Sequence, residues 1–168
     1  VLLYFEGQNI ISKSGIGQAM KHQMAALDSA GIAYTTNPDE DYDILHLNTI
    51  GPCSSALLRS ARRKGKKIVV HAHSTEEDFR NSFLFSNSIA PIFKRRLIQI
   101  YSQADHLITP TPYSKKLLES YGISIPIHAL SNGIDLDRFH YSEAKIRDFR
   151  TYFQLRPDEK VVISVGLF

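Results

Sequence analysis

One cysteine stands among 168 residues, tryptophan is absent, and charge of neither sign dominates. A lone Cys53 allows no internal disulfide and fits a reducing compartment. One thiol among scattered histidines also lacks the ligand spacing of a zinc site, so no metal is expected. No stretch approaches the roughly 20 consecutive apolar residues of a membrane span. No basic segment followed by an apolar core opens the chain, so no secretory leader is expected. The net charge of +3 permits contact with phosphate or an anionic surface without requiring it. No DNA- or RNA-binding motif accompanies that charge, so nucleic acid is not an expected partner. No G-x-S-x-G motif appears and no base is tied in sequence to Cys53, so no activated nucleophile presents itself. What remains, 43% hydrophobic and 22% charged residues, is an ordinary globular composition. It is long enough for one well-buried domain and too short for two full ones.

Apolar runs alternate with helix-period stripes. Residues 1–5, 32–36, 43–48, 66–73, 106–109, 125–130 and 160–165 read as strands. Helices are expected at 16–30 (stripe Ile16, Met20, Met24, Leu27), 52–64, 91–103, 112–121 and 142–154, the last with Ile146, Phe149 and Phe153 inward. Repeated β-α units with buried runs predict an α/β fold, a doubly wound Rossmann-like parallel sheet. Ligands of such sheets sit at the carboxyl ends of the strands. The terminal stretch EKVVISVGLF opens a new strand after a clean helix. It suggests a domain over 1–158 and the start of a second over 159–168, with 160–168 outside the main sheet.

The chemistry therefore belongs to loops that follow strands. SKSGIGQAM, residues 12–20, joins the first strand to the first helix. The dinucleotide fingerprint wants a third small residue where Met20 stands, and a shorter loop. Two readings stay open beside it: a helix start capped by Ser14 with glycines for packing, and an anion or sugar-phosphate site at the backbone N–H groups of Ser14, Gly15, Ile16 and Gly17. In VVHAHSTEED, His71 and His73 flank Ala72 and project to one side of the strand. They are either satisfied buried histidines or groups that meet a substrate hydroxyl. LSNGIDLDRF, residues 130–139, carries the turn signal Asn132-Gly133 and, alone, is only a loop.

Residues 79–101 mix aromatics with a basic triplet. Positions 89, 92, 93, 97, 100 and 101 form a stripe expected to face the core. Phe83, Leu84 and Phe85 precede it in a loop, with Lys94, Arg95 and Arg96 on or beside the outer face. The segment either folds back onto the core or forms an interfacial membrane patch with apolar wedge and cationic rim.

Taken in order, these stretches resemble the N-terminal half of the retaining glycosyltransferases of family 4, which have the GT-B fold. The matching residues are Ser14-Gly15-Ile16-Gly17, Ile44-Leu45-His46-Leu47-Asn48, Val70-His71-Ala72-His73-Ser74-Thr75, Thr109-Pro110-Thr111-Pro112-Tyr113-Ser114-Lys115, and Ser131-Asn132-Gly133-Ile134-Asp135 with Phe139. YFEG, KSGIGQAMKHQM, HAHSTEEDFRNSF and PIFKRR are similar to the enzymes of Gram-positive bacteria that add a second hexose to monoglucosyl-diacylglycerol.

The resemblance implies an acceptor-binding Rossmann-like domain that works with a second domain holding a nucleotide sugar, UDP-glucose or UDP-galactose. It implies that the loop from Ser14 to Gly17 approaches the donor phosphates and sugar. His73 would contact the donor sugar near the reacting carbon, as the catalytic residue. His46, Asn48, His71, Ser74, Thr75, Asn132 and Gly133 would line the acceptor site or the cleft. No metal or cofactor is implied. The partners are a nucleotide sugar, a glycolipid acceptor and an anionic membrane surface, and the expected place is the cytoplasmic face of the cell membrane. Where many relatives have Gly-Arg, this chain has Gly166-Leu167. Two rival readings are a self-sufficient dinucleotide or small-ligand domain and a membrane-tethering domain without catalytic role.

Overall fold

Five short strands form one all-parallel sheet: β1 (Leu2–Tyr4), β2 (Ile44–Leu47), β3 (Lys67–His71), β4 (His106–Thr109) and β5 (Ile127–Ala129). The computed structural model describes residues 1–7, 15–136 and 140–163. The helices are α1 (Gly15–Ser29), α2 (Pro52–Arg63), α3 (Glu76–Phe79), α4 (Ser86–Tyr101), α5 (Pro112–Ser120) and α6 (Glu143–Tyr152). Two compact units divide the chain, Val1–Gly133 and Ile134–Phe168.

In the first unit the strands lie in the order β1-β2-β3-β4-β5. The segment expected as a strand at 32–36 is no strand. It makes one parallel bridge, Leu2 to Thr35, on the far side of β1, with Leu3 N–H donating to Thr35 O at 2.9 Å. The chain thus leaves β1 through α1, touches that far side, and crosses back to β2. This reversal at β1 is the crevice expected of a doubly wound sheet.

Strand alternation assigns each face its helices. Leu2, Leu45 and Ile68 are register partners, as are Tyr4, Leu47, Val70, Leu107 and Ile127. These rows make one face, packed with Leu58 and Ala61 of α2, Leu97, Ile100 and Tyr101 of α4, and Leu118 of α5. The opposite face carries Leu3 and, beyond β1, Phe5. They pack against Met20, with Ile16, Met24 and Leu27 of α1 beside them. Met20 therefore fills the space that a dinucleotide fingerprint leaves to a small third residue, which speaks against that reading.

Three expectations need correction. The helix expected from residue 91 begins at Ser86, so Pro91 lies inside it and not at its first turn. Its stripe faces the core only from Phe93 onward, because Ile89 and Ile92 are exposed, Ile92 at 69%. A four-residue helix, α3, stands where the sequence pattern indicates only a loop.

In the second unit α6 is capped by Ser142, whose side chain accepts from Lys145 N–H. None of its residues is buried, so Ile146 and Phe153 are not inward as expected. Residues 160–163 form no strand, and 164–168 fall outside the described residues.

Candidate functional site

Side chains at 46 and 48, and at 71 and 73, share the α1 face of the sheet by the same alternation that puts Leu3 there. Register pairs Leu3 with His46 and His46 with Val69, the row next to His71. The three histidines stack. The His46 and His71 rings lie 5.8 Å apart and those of His71 and His73 4.2 Å, both pairs within 5° of parallel.

Gln23 of α1 closes the group from above. Its Nε2 donates to Asn48 Oδ1 at 2.8 Å and lies 3.0 Å from His71 Nδ1, while His73 Nε2 lies 3.1 Å from the same Asn48 oxygen. A cavity of about 320 Å3 opens at the carboxyl ends of the strands, lined by Glu6, Ile16, Asn48, His71, His73 and Ser74 among others. On the other side of His71 a second cavity of about 260 Å3 is lined by Gln23, His46, Asn132 and Gly133.

Burial disfavours the imidazolium form of every ring. It pushes His46 down to about 3, helped by His71. His73 falls to about 3, by burial first and then by its neighbours His71 and His46. His71 falls to about 4, with Asn132 opposing the drop. All three are neutral at physiological pH, so His73 offers hydrogen bonds and not charge.

Glu6, part of the YFEG stretch but not among the expected site residues, reaches the start of α2. Its carboxylate accepts from Ser54 N–H and Ser54 Oγ at 2.8 Å each and from Cys53 N–H at 3.2 Å. Burial raises its pKa, but these hydrogen bonds outweigh that and hold the carboxyl below its ordinary value. A Cβ on Gly51 would sit 2.4 Å from that carboxyl group, so a methyl there would push it away.

The remaining expected residues fall out as follows. Gly15 would meet nothing within 4 Å among the described residues if it carried a Cβ, so packing does not require glycine there. Ile16 lines the 320 Å3 cavity, Gly17 is buried, and Ser14 lies outside the described residues. Ser74 lines the same cavity and accepts from the Tyr101 hydroxyl at 3.1 Å. Thr75 instead caps α3, accepting from Asp78 N–H and donating to Asp78 Oδ2. His22 Nδ1 lies 2.9 Å from Asn132 O and 3.1 Å from Gly133 O, and so pins the loop that Gly133 turns with φ of +79°.

The wedge residues Phe83, Leu84 and Phe85 are exposed at 54%, 80% and 73%. They adjoin Ile89 and Ile92 in sequence, which are exposed as well. Phe79, at the end of α3, stacks on Phe93 at 4.1 Å, and the half-exposed Phe83 ring meets Phe79 edge-on at 5.2 Å. The rim is smaller than expected. Lys94 pairs with Glu76 at 3.0 Å and lies over the Tyr121 ring, and Arg96 donates to Ser55. Arg95 alone of the three is exposed, without an ion-pair partner among the described residues.

Gln23 could have been found. It lies in the apolar stripe of α1 between Met20 and Met24, where a polar residue needs a partner across the helix–sheet gap. At Glu6 the YFEG resemblance is a signal, but it assigns the carboxylate no role.

The histidine pKa values fix the sign of an acid effect. Between their ordinary value of 6.5 and the folded values of 3 to 4, the unfolded chain takes up protons that the folded one refuses. Stability from this source is complete above about pH 6.5 and falls with pH, by about 2 kcal/mol per histidine at pH 5. His46→Gln should remove about 2 kcal/mol of the loss between pH 7.5 and pH 5 in urea unfolding. An unchanged pH dependence would show that His46 does not fold in its neutral form.

Residues 27–138 match the model of Glycosyltransferase Family 4. The chain is also 48% identical over 168 residues to a processive diacylglycerol alpha-glucosyltransferase of Acholeplasma laidlawii. The alignment covers 99% of this chain and 49% of that protein, so the chain spans about half the length of the relative it matches. Among the described residues no helix is long and apolar enough to cross a membrane. A Rossmann-like parallel sheet with its polar constellation at the strand ends, joined to these matches, places the chain in glycosyltransferase family 4, as a domain of the GT-B N-terminal type.

Proposed function

We propose that the chain forms the acceptor-side half of a retaining glycosyltransferase that moves a hexose from a nucleotide sugar to a membrane glycolipid. The observation that carries this reading is the uncharged imidazole of His73, held beside Asn48 at the mouth of a cavity on the sheet's carboxyl edge. A ring whose pKa is pushed down to about 3 is a weak base and carries no proton to give as an imidazolium. Its use is to orient a sugar hydroxyl next to the reacting carbon. Backbone N–H groups at the start of α1 would face the departing diphosphate and stabilise its developing charge. The reading needs neither metal nor cofactor. The likeness to a diacylglycerol glucosyltransferase favours glucose as the hexose and a diacylglycerol glycolipid as the acceptor.

The acceptor stays in its bilayer, so the enzyme must come to it. The exposed patch of Phe83, Leu84, Phe85, Ile89 and Ile92 is the docking wedge in this reading. Arg95 is its cation, because Lys94 and Arg96 are spent on the fold. The place of action is then the cytoplasmic face of the membrane, held peripherally.

Two tests follow. In a complete transferase carrying this half, His73→Ala should lower hexosyl transfer to monoglucosyl-diacylglycerol by roughly a hundredfold, the scale of one positioned polar contact in a transition state. Near-normal turnover in a folded variant removes His73 from the site. Arg95→Glu should weaken co-sedimentation of this chain with anionic vesicles by roughly thirtyfold, since losing the cation costs about 1 kcal/mol and the new carboxylate about as much again. Leu84→Ser with Phe85→Ser should weaken binding to neutral vesicles too. Binding unchanged in both variants returns the segment to a purely structural role. Lys94 is unsuitable for charge reversal, because a carboxylate there would face Glu76.

A further inference from the structure

Gln23 does not line the 320 Å3 cavity that His73 faces, yet it bonds to Asn48 and lies within hydrogen-bond distance of His71, the two groups that flank His73. We propose that Gln23 is a positioning residue that fixes the proton positions on His71 and His73 by acting as a double donor. Hydrogen-bond polarity leads to this assignment. An amide nitrogen carries two hydrogens and no acceptor. Gln23 Nε2 uses one on Asn48 Oδ1 and has the other for His71 Nδ1, at 2.8 and 3.0 Å. His71 must then present a bare Nδ1 and carry its proton on Nε2. Asn48 Oδ1 is itself an acceptor, so His73, 3.1 Å away, must carry its proton on Nε2 and donate it. Both neighbouring rings are thereby set to the same tautomer by one side chain.

This polarity determines which atoms are left over. Gln23 Oε1 and Asn48 Nδ2 are buried without a hydrogen-bond partner among the described residues, and so is His71 Nε2. These are the acceptor and the two donors that the arrangement does not spend. Turning both amides over gives the mirror arrangement. Gln23 would then accept from Asn48 Nδ2 and from a proton on His71 Nδ1, and His73 would receive a bond at Nε2 and carry its proton on Nδ1. The two arrangements make the same number of bonds, so the amide polarity of residue 23 decides between them.

The consequence rests on the proposed function. With its Nε2 proton spent on Asn48, His73 has only the lone pair of Nδ1 to offer a ligand. It accepts a hydrogen bond from a sugar hydroxyl and cannot donate one to it. A ligand with an ether or a hydrogen at that position would leave the pair unused. In the mirror arrangement the preference would invert.

The test uses this chain alone at pH 7.5 and does not depend on any activity. Nitrogen-15 spectra of the histidine rings distinguish a protonated nitrogen from a bare one. The expected result is Nε2–H on His71 and His73, with a scalar coupling across the N–H···N bond from Gln23 Nε2 to His71 Nδ1. A proton on Nδ1 of His73 overturns the proposal, as does the absence of that coupling. Nε2–H is also the form that free imidazole prefers, so Gln23→Glu is the sharper arm. A carboxylate can only accept, and should therefore move a proton onto Nδ1 of both His71 and His73. Unchanged tautomers in a folded Gln23→Glu chain overturn the proposal, and if that variant fails to fold, the coupling in the unaltered chain still decides it. Neither readout involves hexosyl transfer, so the failure of this inference and of the proposed function can be told apart.

Discussion

A single carbonyl oxygen, Oδ1 of Asn48, accepts from Gln23 and lies within hydrogen-bond distance of His73. Through it the helix after β1, the end of β2 and the segment after β3 meet at one atom. The meeting depends on the parallel sheet. Strands in register with a two-residue period deliver His46, Asn48, His71 and His73 to the same face, and α1 covers that face. An unpaired polar group in such surroundings costs on the order of 1–3 kcal/mol. The bonded groups therefore hold one another in place, and burial keeps the three imidazoles uncharged.

The same economy appears at the start of α2. Helix N-termini attract anions, and here the protein provides its own. Glu6 satisfies the N–H groups of Cys53 and Ser54 at the edge of the 320 Å3 cavity. A diphosphate has no comparable opening at α2, which leaves the start of α1, on the other side of the crevice, as the place for it in the proposed function. Two helix starts flank one cavity, and a carboxylate in the sequence distinguishes them.

The fold was legible because its signals are local and repeated. Apolar runs bounded by glycine stops gave β1 to β5 and α1, α2 and α5 within a few residues. The places where pattern and structure part have physical reasons. Pro91 looks like a helix start, but Phe85 at φ of +67° begins α4 a turn and a half earlier. Residues 32–36 have strand composition, yet only Thr35 comes into bridge with β1. At the site, strand alternation put His71 and His73 on one side. The sequence could not show that Lys94 would be drawn to Glu76, or that Glu6 would cross to α2. Those pairings join residues 18 and 48 apart along the chain, and no periodicity links them.

Histidines that are buried and neutral are the basis of a site built for hydrogen bonds. The direct measurement is the proton NMR titration of the ring Cε1–H signals of His71 and His73 in this chain, from pH 8 to pH 5. With folded pKa values of about 4 and about 3, both signals should stay flat across that range. A midpoint near 6.5 for His73 in the folded chain would mean a solvated, charge-bearing ring. It would contradict the neutral network on which the site has been built.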